Sequence, residues 1–161
     1  MVIPYRGDEM EIRHIKVMGD LGNVANVPFS VRDPDSVRKA VEGSDVVINL
    51  IGKHYATKHL FPWWINYTLN DVHVTAAEAI ATACVEAGVP RLIHHSSIMS
   101  SPTSSSEWAA SKFRGEEITK SIFPDVNIVR SSVIYGPEDR FLNWYANRMI
   151  LGGVPLVGKY S

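Results

Sequence analysis

The chain contains 161 residues with a formal net charge of -1 at pH 7, and 45% of its residues are hydrophobic while 20% are charged. These values indicate folded globular material and exclude a disordered chain, a collagen-like repeat and a basic tail that binds nucleic acid. No apolar run approaches the ~20 residues that a membrane-spanning helix requires, so no transmembrane segment is expected.

The first part of the chain predicts two short strands and a helix. Residues 2–5 and 27–29 are β-branched or apolar runs typical of strands, and the segment between them, with Arg13, is expected to be a loop. Asp33 can cap a helix that begins at Pro34, and Gly43 can end it. This order indicates parallel β/α units.

The alternation of strands and helices continues to the end of the chain. Residues 46–51 predict a strand that is apolar on both faces, as in a parallel sheet covered by helices, and Gly52 ends it. The serine-rich segment 96–106 predicts a loop. Further helices are predicted over 72–87, 108–122 and 140–149, with strands at 92–93 and 125–129. The chain is expected to form one domain or part of one.

The cysteine and the histidines offer little chemistry of their own. Cys84 lies beside the apolar stripe of the helix predicted over 72–87, where a small buried side chain is expected, and a single thiol favours a reducing compartment. No histidine pair has the i, i+4 spacing of a zinc helix, so no metal site is predicted. One of His94 and His95 is expected in the core of its strand. A serine hydrolase is disfavoured because no Gly-x-Ser-x-Gly motif occurs.

Four segments resemble, in order and spacing, the extended and atypical short-chain dehydrogenase/reductases. They are residues 46–52, 93–97, 108–112 and 128–139. Within that superfamily, residues 3–6, 14–22, 47–52 and 138–143 are similar to the NAD(P)-binding accessory subunits of mitochondrial respiratory complex I. The superfamily resemblance covers nearly the whole chain.

This resemblance implies an α/β fold, a Rossmann-like doubly wound parallel sheet that binds a nicotinamide dinucleotide. Residues 1–161 would form a partial domain, because the opening strand with its glycine-rich turn is not found before Val2 and a second lobe would follow residue 161. In the sheet order 3-2-1-4-5-6, the absent strand would lie between the strands that end at Arg6 and Gly52. The sequence is expected to be a fragment of a longer product; alternatively, another polypeptide supplies that strand.

The resemblance also implies positions that contact the cofactor. Arg6 stands where the family reads the adenosine ribose, and a guanidinium there favours the 2′-phosphate of NADPH over NADH. The alternative is a solvated surface arginine. Arg13 is a weaker candidate for the same phosphate. Ile51 and Gly52 end the third strand at the position where the cofactor ribose and phosphate approach, although Gly52 could be a plain turn residue. Ser30 replaces the family's adenine-reading aspartate.

The catalytic positions of the family are only partly present. Trp108 stands where the enzymes carry their acid–base tyrosine, and indole cannot exchange a proton in a useful pH range. Lys112 is retained and is expected to hold a ribose hydroxyl. Ser97 matches the substrate-orienting serine, whereas His73 replaces an asparagine. No catalytic residue is therefore predicted.

By resemblance, the function expected is that of a non-catalytic, NADPH-binding accessory subunit with a structural or assembly role in the matrix arm of complex I. Its partners would be other complex I subunits at the mitochondrial inner membrane, although no transit peptide is visible. A working NADP-dependent reductase or epimerase for a small molecule and a cofactor-free scaffold remain alternatives. Trp63 and Trp64 could contact a neighbouring subunit or the membrane surface, or pack on their own domain.

Overall fold

A computed structural model describes the chain over residues 1–55, 67–137, 139–150 and 152–153. It contains two compact units, Met1–Arg130 and Ser131–Ser161. The predictions made for Trp63 and Trp64 lie outside the described residues.

Strands and helices alternate through the first unit, as the sequence predicts. In chain order they are β1 (Val2–Tyr5), α1 (Glu9–Lys16), β2 (Ala25–Pro28), α2 (Pro34–Val41), β3 (Val47–Asn49), a π-helical turn (Asp71–Thr75) that leads into α3 (Ala76–Glu86), β4 (Leu92–Ser97), α4 (Glu107–Ile122) and β5 (Asn127–Ser131). The cap predicted for α2 is confirmed, since the Asp33 side chain accepts a hydrogen bond from the Asp35 amide at 3.1 Å. The predicted α/β class is therefore confirmed.

The strands form two sheets, in which β1 and β2 pair in parallel and β3 and β4 pair in parallel. β1 pairs with β2 in the register Val2 to Ala25 and Tyr5 to Pro28. β3 pairs with β4 so that Val47 lies opposite Leu92, and β5 joins β4 on its other side. Because parallel strands end at the same edge, the residues that follow β1 and β2 meet at one edge and those that follow β3 and β4 at another.

Within the described residues, β1 and β3 are not hydrogen-bonded to each other. A groove runs between the two strands, and its lining includes Val2 and Pro4 on one side and Ile48 and Asn49 on the other. These are the strands that the resemblance places on either side of a central strand.

Helix α1 was not predicted, and Arg13 lies in it rather than in a loop. The helix begins because the Asp8 side chain accepts a hydrogen bond from the Met10 amide at 3.0 Å. Glu9 in its first turn also accepts a hydrogen bond from Lys16 at 2.6 Å. α1 contains no buried residue, and only three of its eight residues are apolar, so the sequence offers only a short helical pattern there.

The strand predicted over 46–51 is shorter, and the expectation that both of its faces are covered is wrong for the described residues. Val47 is half-buried and Asn49 is buried, but Ile48 is 57% exposed and Leu50 is 69% exposed. β4, in contrast, is longer than predicted. It continues through Ser96 and Ser97, which were expected in a loop. Ser96 is accommodated there by a buried hydrogen bond described below.

The hydrophobic core of the first unit lies between α2, α3 and the start of β4. Its buried members include Val37, Ile80, Cys84, Leu92 and Phe123. Cys84 is fully buried, as expected, and this burial raises the pKa of its thiol to about 11. The thiol therefore stays protonated at neutral pH and packs as a small apolar group.

The second unit contains α5 (Arg140–Ile150), close to the predicted helix. Among the described helices, none has both the length and the apolarity needed to cross a bilayer. The described residues also contain no group of three His, Cys, Asp or Glu side chains that could hold a metal ion.

Candidate functional site

Lys112 and Gly52 meet at the carboxyl ends of β3 and β4. Lys112 lies in α4 and is only 6% exposed, and its Nζ donates a long hydrogen bond of 3.5 Å to the backbone oxygen of His95. A Cβ atom placed on Gly52 would lie 3.2 Å from that Nζ. Glycine at position 52 therefore keeps open the space into which the Lys112 ammonium points.

The charge of Lys112 is held in a shielded environment. Burial lowers the pKa of the ammonium group, and the negative charge of Glu116 one helical turn later partly offsets that lowering. Ser97 lies at the end of β4, where its Oγ accepts a hydrogen bond from the Met99 amide at 3.2 Å. Lys112 and Ser97 can both offer donors at this edge of the sheet.

Trp108 binds the loop that follows β3. Its indole Nε1 donates a hydrogen bond to the backbone oxygen of Lys53 at 2.8 Å. The His54 ring stacks on the indole with centroids 5.5 Å apart and planes at 16°, and the His73 ring meets it edge-on at 6.4 Å. The Trp108 side chain thus fixes the backbone of this loop, and an indole does not exchange a proton in a useful pH range.

His73 is buried, and both of its ring nitrogens have hydrogen-bond partners. The Lys53 amide donates to His73 Nε2 at 3.2 Å, and Ser111 Oγ lies 2.8 Å from Nδ1 while donating to the Trp108 backbone oxygen. This network requires Nδ1 to carry the hydrogen. Burial and the charge of Lys112 lower the pKa of His73 to about 4. At neutral pH His73 therefore acts as a fixed link between the π-helical turn, α4 and the loop after β3.

Asn49 and His94 form a second buried pair below the site. Asn49 Nδ2 donates to His94 Nδ1 at 3.1 Å, and the Asn49 Oδ1 accepts from the Ile51 amide at 3.0 Å. Burial is the main cause that lowers the pKa of His94 to about 4. The expectation that one histidine of this strand is in the core is confirmed, and the pair also fixes the backbone of Ile51.

The fully buried carboxylate of Glu116 has no counterpart in the sequence predictions. Ser96 Oγ donates to it at 2.5 Å, while Arg130 donates through Nε at 3.1 Å and Nη2 at 2.6 Å. Burial alone would raise the pKa of Glu116, but hydrogen bonds from Arg130 and Ser96 outweigh this effect and lower it. The charge is thus compensated inside the fold.

A different environment surrounds Arg6, just after β1. Its guanidinium carbon lies 4.8 Å from the centroid of the Tyr67 ring, and that of Arg32 lies 4.0 Å from the same centroid. Arg13 was the other candidate for phosphate contact, and its Nη1 donates a weak hydrogen bond to Met10 Sδ at 3.6 Å on exposed α1. No sequence signal marks Arg32 or Tyr67, because cation–π contacts between distant segments leave no local pattern.

Comparison with known proteins gives a consistent result. The chain is 46% identical over 157 residues to the mitochondrial NADH dehydrogenase [ubiquinone] 1 alpha subcomplex subunit 9 of Mus musculus, covering 98% of this chain and 40% of that protein. It is 45% identical over 162 residues to the mitochondrial NADH-ubiquinone oxidoreductase 40 kDa subunit of Neurospora crassa, covering 100% of this chain and 41% of that protein. The chain thus spans about two-fifths of the length of these curated relatives.

A solved structure shows the same fold at low sequence identity. The UDP-glucuronic acid 4-epimerase of Bacillus cereus, in complex with NAD, aligns with a TM-score of 0.68 and 16% identity, covering 89% of this chain and 50% of that one. The predicted Rossmann-like fold is confirmed, and the match spans half of the length of this enzyme. Residues 12–131 match the model of a family described as NAD(P)H-binding. The resemblance predicted from the motifs is confirmed, and the chain belongs to this NAD(P)H-binding family.

Proposed function

We propose that the protein is a non-catalytic, NADPH-binding accessory subunit of mitochondrial NADH:ubiquinone oxidoreductase (complex I). Its partners would be other complex I subunits on the matrix side of the inner membrane. The names of the relatives support this assignment. The observation that carries the non-catalytic role is the hydrogen bond from Trp108 Nε1 to the Lys53 backbone, because the side chain at the acid–base position holds a loop instead of exchanging protons.

The residues at the ends of β3 and β4 fit a nicotinamide dinucleotide. Gly52 leaves the space beside Lys112 Nζ that a Cβ would fill, and the buried ammonium is a donor suited to ribose hydroxyls. Ile51 and Gly52 would offer backbone to the cofactor, and Ser97 a hydroxyl. The bound cofactor would bring a transferable hydride. Without an acid–base partner at position 108, Lys112 would orient the ribose and hold the nucleotide in place.

The preference for NADPH follows from Arg6. A guanidinium pairs with a phosphate dianion by charge and by two parallel hydrogen bonds, whereas it gains less from a free 2′-hydroxyl. No carboxylate lies within ion-pair distance of Arg6 among the described residues, so its N–H groups have no competing anion there. Arg13 remains a second candidate for the same phosphate.

Native gel electrophoresis of mitochondrial membranes, with antibody against this chain, tests the accessory role. Comigration with complex I and retention of NADPH by the purified complex are expected. Lys112→Ala should lower nucleotide retention, while Lys120→Ala on the exposed surface of α4 serves as the matched control. A free monomer in mitochondrial extracts, with no chain in complex I, would contradict the proposal.

A reductase or epimerase is the second candidate, favoured by the retention of Lys112 and by structural likeness to enzymes such as the UDP-glucuronic acid 4-epimerase. Steady oxidation of NADPH in the presence of a small carbonyl substrate, abolished by Lys112→Ala, would support it. Absence of turnover for a protein that retains NADPH favours the accessory role. Purification without any nucleotide would instead favour a cofactor-free scaffold.

A further inference from the structure

Arg32 lies close to Arg6 although the two belong to different loops. Arg6 follows β1 and Arg32 comes after β2, and these strands run parallel, with the Phe29 amide donating to the Tyr5 oxygen at 2.8 Å. Both loops therefore begin at the same edge of the sheet. The guanidinium carbon of Arg6 lies 4.8 Å from the centroid of the Tyr67 ring, and that of Arg32 lies 4.0 Å from it. The two guanidinium carbons are therefore separated by no more than the sum of these two distances.

Two cations on one ring indicate a site for an anion. Like charges at this separation repel each other, and the Tyr67 ring compensates that repulsion only in part. Asp71 lies 3.9 Å from an Arg32 nitrogen, which is longer than a hydrogen bond, and the Arg32 side chain is 45% exposed. The guanidinium N–H groups of both arginines thus remain accessible to a ligand.

We propose that Arg32 is a second specificity-determining residue, which binds the 2′-phosphate of NADP(H) together with Arg6 while Tyr67 holds the two guanidinium groups in position. This inference rests on the proposed function, because it concerns the same cofactor. A phosphate monoester has three terminal oxygens and about two negative charges, so two guanidinium groups can bind it from different sides. A free 2′-hydroxyl, as in NADH, offers neither the charge nor the oxygens.

The test measures the affinities for NADPH and NADH by titration calorimetry on the protein as isolated from complex I or expressed at full length. Arg32→Ala is expected to weaken NADPH binding about tenfold or more while NADH binding changes less than about twofold. Arg38→Ala is the matched control, since it removes a nearby surface charge that pairs with Asp35 and Glu86. Arg32→Gln replaces Arg32→Ala if the alanine variant does not fold.

The outcomes separate this inference from the proposed function. If Arg32→Ala leaves the ratio of the two affinities unchanged, or lowers both equally, Arg32 has a structural role and the inference is wrong while NADPH binding stands. If only Arg13→Ala lowers the ratio, the second arginine is Arg13 and the inference is wrong. If the wild-type protein binds neither nucleotide, the proposed cofactor role fails as well.

A competition experiment distinguishes the cofactor phosphate from other phosphates. Adenosine 2′,5′-bisphosphate should displace NADPH more strongly than adenosine 5′-monophosphate, and Arg32→Ala should remove most of that advantage. Equal competition by inorganic phosphate and the bisphosphate would show a general anion site and would overturn the inference.

Discussion

The two ends of the candidate site differ in how their charges are compensated. Below Lys112, the carboxylate of Glu116 is fully buried and is held by Ser96 and Arg130. At the end of β1, the side chains of Arg6 and Arg32 are exposed and share the ring of Tyr67. The first region satisfies the charge of Glu116 within the fold, whereas the second leaves two cations exposed, with the Asp71 carboxylate 3.9 Å from Arg32.

This difference assigns separate roles to the two regions. In the first region, Trp108 and His73 hold the loop after β3 against α4. Where the adenosine end of a cofactor would bind, the charges remain accessible. Substitutions in the first region should therefore change stability, and substitutions in the second should change ligand binding.

The largest effect is expected from Gly115→Ala in α4. A Cβ at this position would lie 2.1 Å from the backbone oxygen of His73, and backbone cannot move aside as a flexible side chain can. The free energy of unfolding should fall by about 3 kcal/mol or more, although alanine usually stabilises a helix by about 0.5–1 kcal/mol over glycine. Urea unfolding measures this change. Gly136→Ala, where no atom lies within 4 Å of the added Cβ, is the control. Equal stability of both variants would contradict the close packing of α4.

Arg130→Ala should destabilise the protein by about 2–3 kcal/mol at pH 7, because it leaves the buried Glu116 carboxylate with little compensation. The loss is expected below that of a fully buried pair, since the Arg130 side chain is 43% exposed. It should be smaller at acid pH, because without Arg130 the burial of Glu116 favours its protonated form, which needs no cation. Arg114→Ala breaks the exposed pair with Glu107 and should cost less than about 0.5 kcal/mol. Similar losses of unfolding free energy in Arg130→Ala and Arg114→Ala would contradict the idea that burial of Glu116 makes its ion pair more important for stability.

Acid pH should destabilise the first region through its histidines. The pKa of His73 falls from 6.5 to about 4 on folding, so between these values the unfolded chain binds a proton that the folded chain does not. Stability is therefore highest above pH 6.5 and decreases as the pH falls towards 4, by about 2 kcal/mol between pH 7 and pH 5 for this residue. His73→Asn should remove this part of the pH dependence in denaturant unfolding, and His14→Asn on exposed α1 should not. An unchanged slope in His73→Asn would exclude His73 as its source.

The smallest effect is expected from Trp108→Phe, which keeps an aromatic ring and removes the indole N–H. The Lys53 backbone oxygen would lose its donor, at a cost of about 1 kcal/mol in unfolding free energy. Trp144→Phe, at a side chain that is 48% exposed in α5, is the control and should change the melting temperature little. Full stability of Trp108→Phe would indicate that the loop after β3 is held by other contacts.

Features set by neighbouring residues were predictable from the sequence. The helix that begins at Pro34 has its cap residue one position earlier, and the apolar stripe of α3 repeats at helical spacing, so both were predicted correctly. α1 was missed because its start depends on one capping contact of Asp8 and it buries no residue.

Only those parts of the candidate site that stand in local sequence motifs were predicted. Arg6, Gly52 and Lys112 stand in recognisable motifs, and the structure brings Gly52 and Lys112 together. The role of Glu116 depends on Ser96 and Arg130 from two strands, and the position of Arg32 depends on Tyr67 from a distant segment. Contacts of this kind arise only when the chain folds, so no local pattern reveals them.

The buried thiol of Cys84 provides an internal probe of this fold. It is fully buried, and its high pKa keeps it in the unreactive protonated form, so an alkylating reagent can modify it only when α3 separates from the core. The rate of alkylation at Cys84 therefore reports how often the core opens. The effects of substitutions around Lys112 and around Arg32 on core opening can be compared by this rate without introducing a second cysteine.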